Sequence, residues 1–244
     1  MHQIAEDEFV PGNLLFADRH ALKTSDGTTT SLIAGSAISA GYLEDVGSNA
    51  RFDVILSFLQ LSRSLIVLAD YFNHCFRSVD RTTNLTSPYS GSCTNRGDRD
   101  GVDALFNSPW SIKQDVKNNT QLLITDFYLG SLKKINVASK HVSTIFKDSS
   151  YRLSTLLQDP STGNIYVTFA HGLGLFDYES TSFSVLTGSL QRGFVDGAIS
   201  QIRFYYPIGV AFLSPHKLLI ADSFNHRLRV LDLITNTSSS ICSG

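Results

Sequence analysis

The chain has 244 residues, of which 42% are apolar and 17% charged, and its formal net charge is −2. This composition excludes a disordered chain and a long coiled coil, which both contain less apolar surface and more charge. The apolar stretches are much shorter than the roughly 18 residues that a membrane span needs, and the charge balance gives no basic surface for a polyanion. The acidic first residues have none of the features of a signal peptide.

Strand-forming residues dominate the sequence, because 16 Phe and nine Tyr accompany 17 Gly, whereas Met occurs once. Aromatic side chains favour the half-buried surface of a sheet, and Gly favours the turns between strands. The composition therefore predicts an all-β protein.

One segment recurs five times: an apolar strand, which ends in Asp in four copies, then a turn and a second strand. The copies are residues 14–26, 66–80, 122–136, 165–177 and 218–232. Their turns begin 43 to 56 residues apart, at Asp18, Asp70, Asp126, Phe169 and Asp222. This spacing is the length of roughly one four-stranded propeller blade. A single repeat cannot bury its own apolar face, so the repeats must pack against one another.

A second motif separates some of the copies and consists of a Gly-rich turn, an Asp-containing loop and a Phe. It begins at Gly41, Gly97 and Gly193, and its Phe residues are Phe52, Phe106 and Phe204. In the last two, Pro follows three residues after the Phe. We call these segments the links and expect their Gly and Asp residues to shape turns.

The links resemble those of the NHL-repeat family of β-propellers. Two of the turns also resemble the family pattern. One contains Ala69-Asp70, Asn73-His74 and Arg77, and the other contains Ala221-Asp222 and Asn225-His226. The third and fourth turns depart from the family pattern. The resemblance covers nearly the whole chain and implies a single propeller domain over residues 1–244. It implies about five blades, or six in a longer protein of which this chain is one part.

We letter the strands of a blade a to d, from the central channel outward. Cys75 begins strand c of the second blade and Cys93 ends strand d, with Asn84 midway between them. This register places the two cysteines opposite each other and predicts a disulfide bond, which implies an oxidising compartment. The alternative is two reduced thiols in a cytosolic sheet. Cys242 is left over, and the sequence does not choose between an intermolecular partner and a free thiol.

Three glycosylation sequons occur, at Asn84, Asn118 and Asn236. Chance alone would supply about as many, so their number proves nothing. Their positions predict that they lie on the a–b and c–d turns, which share one face of a propeller. Glycans would therefore cover one face and leave the other free.

The opposite face carries the b–c turns and the links, and we call it the b–c face. Its turns are unusually aromatic, and aromatic side chains beside Arg are typical of protein-recognition surfaces. The candidate binding residues are Tyr71, Phe72, Phe127, Tyr128, His171 and Phe224 in the turns and Arg96, Arg99, Arg192 and Phe194 in the links. The alternative for Phe72 and Phe224, which share one position in the repeat, is that they pack between blades.

No catalytic or metal site is expected from the motifs. Lyases that resemble NHL propellers carry a metal-binding His directly after the link Pro, but this chain has Trp110 and Ile208 there. No nucleophile elbow, phosphate-binding loop or dinucleotide fingerprint is present, so no cofactor is expected. A hydrolase or lyase with a site in the channel is the alternative.

RNA binding is a further alternative, since some NHL propellers bind single-stranded RNA on a basic, aromatic face. Here 22 acidic residues outnumber 20 basic ones, which argues against nucleic acid. The densest basic positions, Lys133-Lys134 and Arg227 with Arg229, are predicted to lie on a solvated blade edge. We therefore expect a non-catalytic extracellular or luminal platform that binds a protein partner through the b–c face.

Overall fold

The structure is a computed structural model that describes residues 3–241. It confirms the all-β prediction, because five antiparallel sheets form the five blades of a β-propeller. The helical elements of the described residues are two 3-10 turns, Gly47–Asn49 and Ser223–Asn225. No helix within this part of the chain has the length and hydropathy to cross a membrane. Cys242, the left-over cysteine, lies outside the described residues.

Each blade pairs its four strands in chain order, from a to d. Blade 1 contains β1 Gln3–Glu6, β2 Leu14–Asp18, β3 Ala21–Ser25 and β4 Thr30–Gly35. Blade 2 contains β5 Ile55–Ser62, β6 Leu65–Asp70, β7 Cys75–Asp80 and β8 Thr86–Ser90. Blade 3 contains β9 Pro109–Gln114, β10 Gln121–Asp126, β11 Ser131–Asn136 and β12 Val142–Lys147. Blade 4 contains β13 Leu156–Gln158, β14 Ile165–Phe169, β15 Gly172–Asp177 and β16 Ser182–Gly188. Blade 5 contains β18 Pro207–Ser214, β19 Lys217–Asp222, β20 Arg227–Asp232 and β21 Thr237–Ser240, and β17 Gly197–Ala198 joins it from the preceding link.

The links run along the outer edge of the blade that follows them. Each of the three folds back on itself, with the isolated bridges Leu43 to Arg51, Arg99 to Leu105 and Val195 to Arg203. Their outermost parts pair with strand d or the turn before it, as β17 does with β21. Each link then returns toward the channel and inserts its Phe between two blades.

The hydrophobic core lies between successive blades. Four clusters of buried apolar residues join blades 1 and 2, 2 and 3, 3 and 4, and 4 and 5. The three link Phe residues, Phe52, Phe106 and Phe204, are fully buried members of these clusters. Each blade thus buries its apolar faces only with the help of its neighbours.

In blades 2 and 5, a buried network of polar groups fixes the link to the blade that follows it. In blade 2, Asp70 accepts hydrogen bonds from the backbone N–H of Asp53 at 2.7 Å, from Asn73 Nδ2 at 2.9 Å and from Arg77 Nη1 at 3.2 Å. Arg77 also donates to the link carbonyls of Arg51 and Leu43. Asp70 and Arg77 are both fully buried.

Blade 5 repeats this network in the same positions. Asp222 accepts from the N–H of Tyr205 at 2.8 Å, from Asn225 Nδ2 at 2.9 Å and from Arg229 Nη1 at 3.1 Å. Arg229 donates to the link carbonyls of Arg203 and Val195. The Asp, Asn and Arg residues of the two turns therefore bind the link as well as one another.

The prediction of a solvated edge at Lys133 and Arg229 is wrong, because both side chains are fully buried. The link covers this side of strand c and supplies carboxylates: Lys133 donates to Asp98 at 3.1 Å and to Asp100 at 2.8 Å. Arg229 donates to Asp196 at 2.7 Å. Lys134, one residue later, points to the other side of the strand and is half-buried.

The Cys75–Cys93 disulfide is present, with the two Cα atoms 4.9 Å apart. The predicted register is wrong, however, because strand d ends at Ser90, which pairs with Phe76. A bulge shifts the pairing of β7 with β8, and Cys93 lies in the link that follows β8. The disulfide therefore ties strand c to the start of this link.

We expect Asp70→Ala to lower the free energy of unfolding by about 3–5 kcal/mol, because it leaves the buried Arg77 without a carboxylate. Asp18 is the matched control, since it ends strand b of blade 1 but is 38% exposed and, among residues 3–241, forms an ion pair with Lys23 alone. Asp18→Ala should cost about 1 kcal/mol or less. Urea unfolding of both variants tests this, and equal losses would contradict it.

Burial raises the pKa of Asp126 to about 7, although the backbone N–H of Asn107 binds its carboxylate at 2.6 Å. As the pH rises from the ordinary value of 3.8 toward 7, the folded chain keeps a proton that the unfolded chain releases, so this group lowers stability. The stability of Asp126→Asn relative to the native chain should therefore increase over this range, by on the order of 1–4 kcal/mol.

Urea unfolding at a series of pH values measures this difference. Asp177→Asn is the control, because hydrogen bonds from the backbone and side chain of Ser180 lower the pKa of Asp177. Its relative stability should change in the opposite direction and at lower pH, decreasing between the depressed pKa and 3.8 and staying constant from pH 3.8 to 7. A pH-independent difference for Asp126→Asn would show that its carboxyl is not held neutral.

Candidate functional site

The b–c turns of blades 2, 3 and 5 have the same backbone arrangement. The second residue after strand b is Phe72, Tyr128 or Phe224, and we call this the tip position. Its N–H donates to the link carbonyl of Asp53, Asn107 or Tyr205, at 3.0 to 3.3 Å. Because the link itself is fixed by the buried carboxylate of strand b, the tip residue has little backbone freedom.

The three tip side chains are exposed aromatic rings. Phe72 is 52%, Tyr128 45% and Phe224 53% exposed, so Phe72 and Phe224 do not pack between blades. The preceding residues of blades 2 and 3, Tyr71 and Phe127, are only 7% exposed. They support the tips from below and offer little surface of their own.

The first aromatic cluster joins blades 2 and 3 and contains Tyr71, Phe72, Trp110, Phe127 and Tyr128. Trp110 stacks on Phe127 with 4.9 Å between ring centroids and meets the Tyr71 ring edge-on at 5.5 Å. The tip rings meet their neighbours edge-on, at 4.7 Å for Phe72 and 5.1 Å for Tyr128. Such geometry is favourable for aromatic pairs.

The second aromatic cluster joins blades 4 and 5 and contains His171, Tyr205, Tyr206 and Phe224. Phe224 lies 5.1 Å from both tyrosine rings, and His171 lies 5.0 Å from Tyr206. Burial lowers the pKa of His171, whose Nδ1 has no hydrogen-bond partner among the described residues. A neutral imidazole fits this aromatic environment.

Each cluster has an exposed Arg over one of its rings. The Arg152 guanidinium lies 5.2 Å from the centroid of Tyr128, and that of Arg192 lies 5.3 Å from the centroid of Tyr205. These distances are within the range of cation–π contacts. Both clusters therefore combine aromatic surface with positive charge.

The other predicted link residues lie outside the two clusters. Arg96 is exposed, and its charge contributes with burial to lowering the pKa of His74. Arg99 donates to the carbonyl of Asp103 within its own link. The Phe194 ring lies against the Arg229 guanidinium, 5.3 Å from the centroid, on blade 5.

Four residues of the clusters were missed by the sequence reasoning: Trp110, Arg152, Tyr205 and Tyr206. The sequence could have indicated Tyr205 and Tyr206 as surface residues of interest, because they occupy the last two link positions. The other links have the non-aromatic pairs Asp53-Val54 and Asn107-Ser108 there. Tyr206 has a φ of 47°, as the equivalent residues also have positive φ, and this fixes the direction of the chain as it enters strand a.

The channel is a second candidate location. The five innermost strands, together with neighbouring residues, surround a cavity of about 220 Å³ lined by residues that include Gln3, Ser57, Trp110, Lys113 and Thr155. Burial lowers the pKa of Lys113, and no carboxylate within the described residues forms an ion pair with it. No group of three or more metal-ligand side chains is found in residues 3–241. Among the described residues that line it, the channel thus offers one amine, that of Lys113, beside hydroxyl groups.

The sequons lie on the face opposite the aromatic clusters. Asn84 is in the c–d turn of blade 2, Asn118 in the a–b turn of blade 3 and Asn236 in the c–d turn of blade 5. Asn118 and Asn236 are exposed, whereas Asn84 is half-buried.

We expect Lys113 to titrate below the ordinary lysine pKa of 10.5. Reductive ¹³C-methylation followed by NMR measures the shift of each lysine with pH, and Lys113→Met identifies the resonance. Because desolvation is the cause, Ile208→Asp, which places a carboxylate in the same channel lining, should raise the pKa again. A native Lys113 that titrates at or above 10.5 would contradict this.

No protein-family model matches the chain. A curated relative, Protein SUPPRESSOR OF QUENCHING 1, chloroplastic, from Arabidopsis thaliana, is 23% identical over an alignment 202 residues long, and the match covers 71% of this chain and 19% of that protein. The chain therefore spans about a fifth of the length of this relative.

Solved structures with the same fold include several from Bacteroides. An auxiliary nutrient binding protein from Bacteroides thetaiotaomicron matches 98% of this chain and 56% of its own with a TM-score of 0.73 and 11% identity. Its counterpart from Bacteroides ovatus matches the same shares with a TM-score of 0.71. The extracellular domain of a protein described as a hybrid two component system from B. thetaiotaomicron matches 99% of this chain and 34% of its own, with a TM-score of 0.56 and 15% identity. At these identities the likeness establishes the propeller fold and nothing of its ligands.

Proposed function

We propose that the chain is an NHL-type propeller that acts as a rigid, non-catalytic platform and binds a protein partner through the b–c face. The observation that carries the proposal is the set of three half-exposed aromatic tips, Phe72, Tyr128 and Phe224, at one repeat position. Their backbone is held by the links before any partner arrives. Binding therefore costs little ordering of the loops, and rigid aromatic anchors beside Arg are typical of interface hot spots.

We infer that the platform works in an extracellular or luminal compartment. The disulfide Cys75–Cys93 supports this, because such bonds persist in oxidising surroundings. The three sequons lie opposite the aromatic clusters, so glycans attached there would leave the proposed binding face open. The structural neighbours include nutrient-binding proteins and an extracellular domain, which agrees with this location.

A site in the channel is the second candidate. Lys113 favours it, because an amine with a lowered pKa in a cavity of about 220 Å³ can bind a small anion or attack a carbonyl group. The two candidates are separable, since Lys113→Met removes the amine without touching the aromatic tips.

A direct test selects peptides from a random display library on the disulfide-bonded protein and measures the Kd of an enriched peptide by fluorescence polarisation. We expect the combined variant Phe72→Ala, Tyr128→Ala, Phe224→Ala to raise this Kd at least about tenfold, equivalent to about 1.4 kcal/mol. The three rings are exposed, so the variant should keep the native melting temperature within a few degrees.

The matched control is Leu85→Ala, Val116→Ala, Ile234→Ala, which removes apolar side chains that are 44%, 50% and 69% exposed on the opposite face. It should leave the Kd within about twofold. A control that weakens binding as much as the tip variant would overturn the proposal. A single-stranded RNA 12-mer measured in parallel should bind weakly, whereas tight binding that falls steeply with salt would favour the RNA alternative.

A further inference from the structure

The exposure of one residue in strand c distinguishes blade 5 from the other four blades. The second residue of strand c faces the following blade, and we call this side of a blade its downstream face. In blades 1 to 4 this residue is Leu22, Phe76, Leu132 or Leu173, and all four are fully buried. In blade 5 it is Leu228, which is 41% exposed. Leu213 and Ala211, in strand a of blade 5, are exposed as well.

Blade 1 shows the complementary difference on its upstream face, the side toward a preceding blade. In blades 2 to 5 the two upstream residues of strand b are Ile66 and Leu68, Leu122 and Ile124, Ile165 and Val167, and Leu218 and Ile220, each at most 1% exposed. Their counterparts in blade 1, Leu14 and Phe16, are only half-buried. Two neighbouring apolar side chains are exposed, Ile4 at 53% and Leu32 at 40%.

These two faces border the same gap. Strands β1 and β18 both line the central cavity, through Gln3 and Ile4 and through residues 208–210. The four apolar clusters of the described residues join the other pairs of successive blades. Each of the two faces is therefore apolar and lacks the packing that the same positions have elsewhere in the ring.

The histidine directly before strand c indicates which hydrogen-bond donor would fit the downstream face of blade 5. His20 and His74, each directly before strand c, accept a hydrogen bond at Nδ1 from the N–H of Val54 or Ser108, at 3.1 Å. Those donors are the last link residues before strand a of the following blade. His226 occupies the same position in blade 5 but is exposed, and its ring has no hydrogen-bond partner among residues 3–241.

We propose that the gap between blades 5 and 1 binds one further four-stranded blade that carries its own link. Its apolar faces would cover Leu228 on one side and Leu14 and Phe16 on the other, and its link would supply the N–H that His226 lacks.

The test appends a second copy of residues 193–241, which contain the link and blade 5, after residue 244 of the full chain. The extended protein should melt at least about 4 °C above the original, since 1 kcal/mol shifts the melting temperature of a protein of this size by roughly 2–4 °C. In the extended protein, Leu228→Asp in the original blade 5 should abolish this gain. The same substitution in the unextended chain should shift melting by less than about 2 °C, because Leu228 is already partly exposed.

A gain that survives Leu228→Asp, or no gain at all, would overturn the proposal. Light scattering of the unextended chain supplies a second measurement. A monomer that binds the hydrophobic dye ANS, and loses this binding on extension, supports the proposal. A dimer that Leu228→Asp dissociates would assign the face to a second copy and overturn it.

Discussion

The buried carboxylate at the end of strand b is the interaction on which the rest of the structure depends. In blades 2, 3 and 5 it accepts the N–H of the link residue two positions before strand a, at 2.6 to 2.8 Å. This bond places the link Phe between blades and sets the link carbonyls that hold the tip residues. The same hydrogen bond therefore supports both the packing between blades and the backbone of the aromatic face. A partner would bind a surface that folding has already ordered.

The repeat pattern predicts most of the fold. Strand b ends where the sequence placed the turns in all five blades, because an apolar run followed by Asp or by a short turn is a strong local signal. The face that carries the aromatic turns also follows from the pattern, since strands that pair in order return to the same edge. The pairing of Cys75 with Cys93 was predicted correctly.

What the sequence could not predict depends on contacts between distant segments. Lys133 and Arg229 alternate like surface residues, and only the link that covers strand c makes them buried. A bulge in β7 and β8 changes the register around Cys93. Side-chain direction within a turn has no period, so the sequence could not distinguish the buried Tyr71 from the exposed Phe72 next to it. The sequence therefore predicts which turns carry aromatic side chains, but not which of those rings are exposed and which support them.

Amide hydrogen exchange measured by NMR tests the central role of the carboxylate most directly. We predict that the amides of Asp53, Asn107 and Tyr205 exchange at least about a hundredfold more slowly than that of Ser149, which lies in an exposed turn. The tip amides of Phe72, Tyr128 and Phe224 should be protected with them, because the same links accept their hydrogen bonds. Exchange of all six amides at the rate of Ser149 would show that the links are not held by the buried carboxylates and that the aromatic face is not ordered in advance.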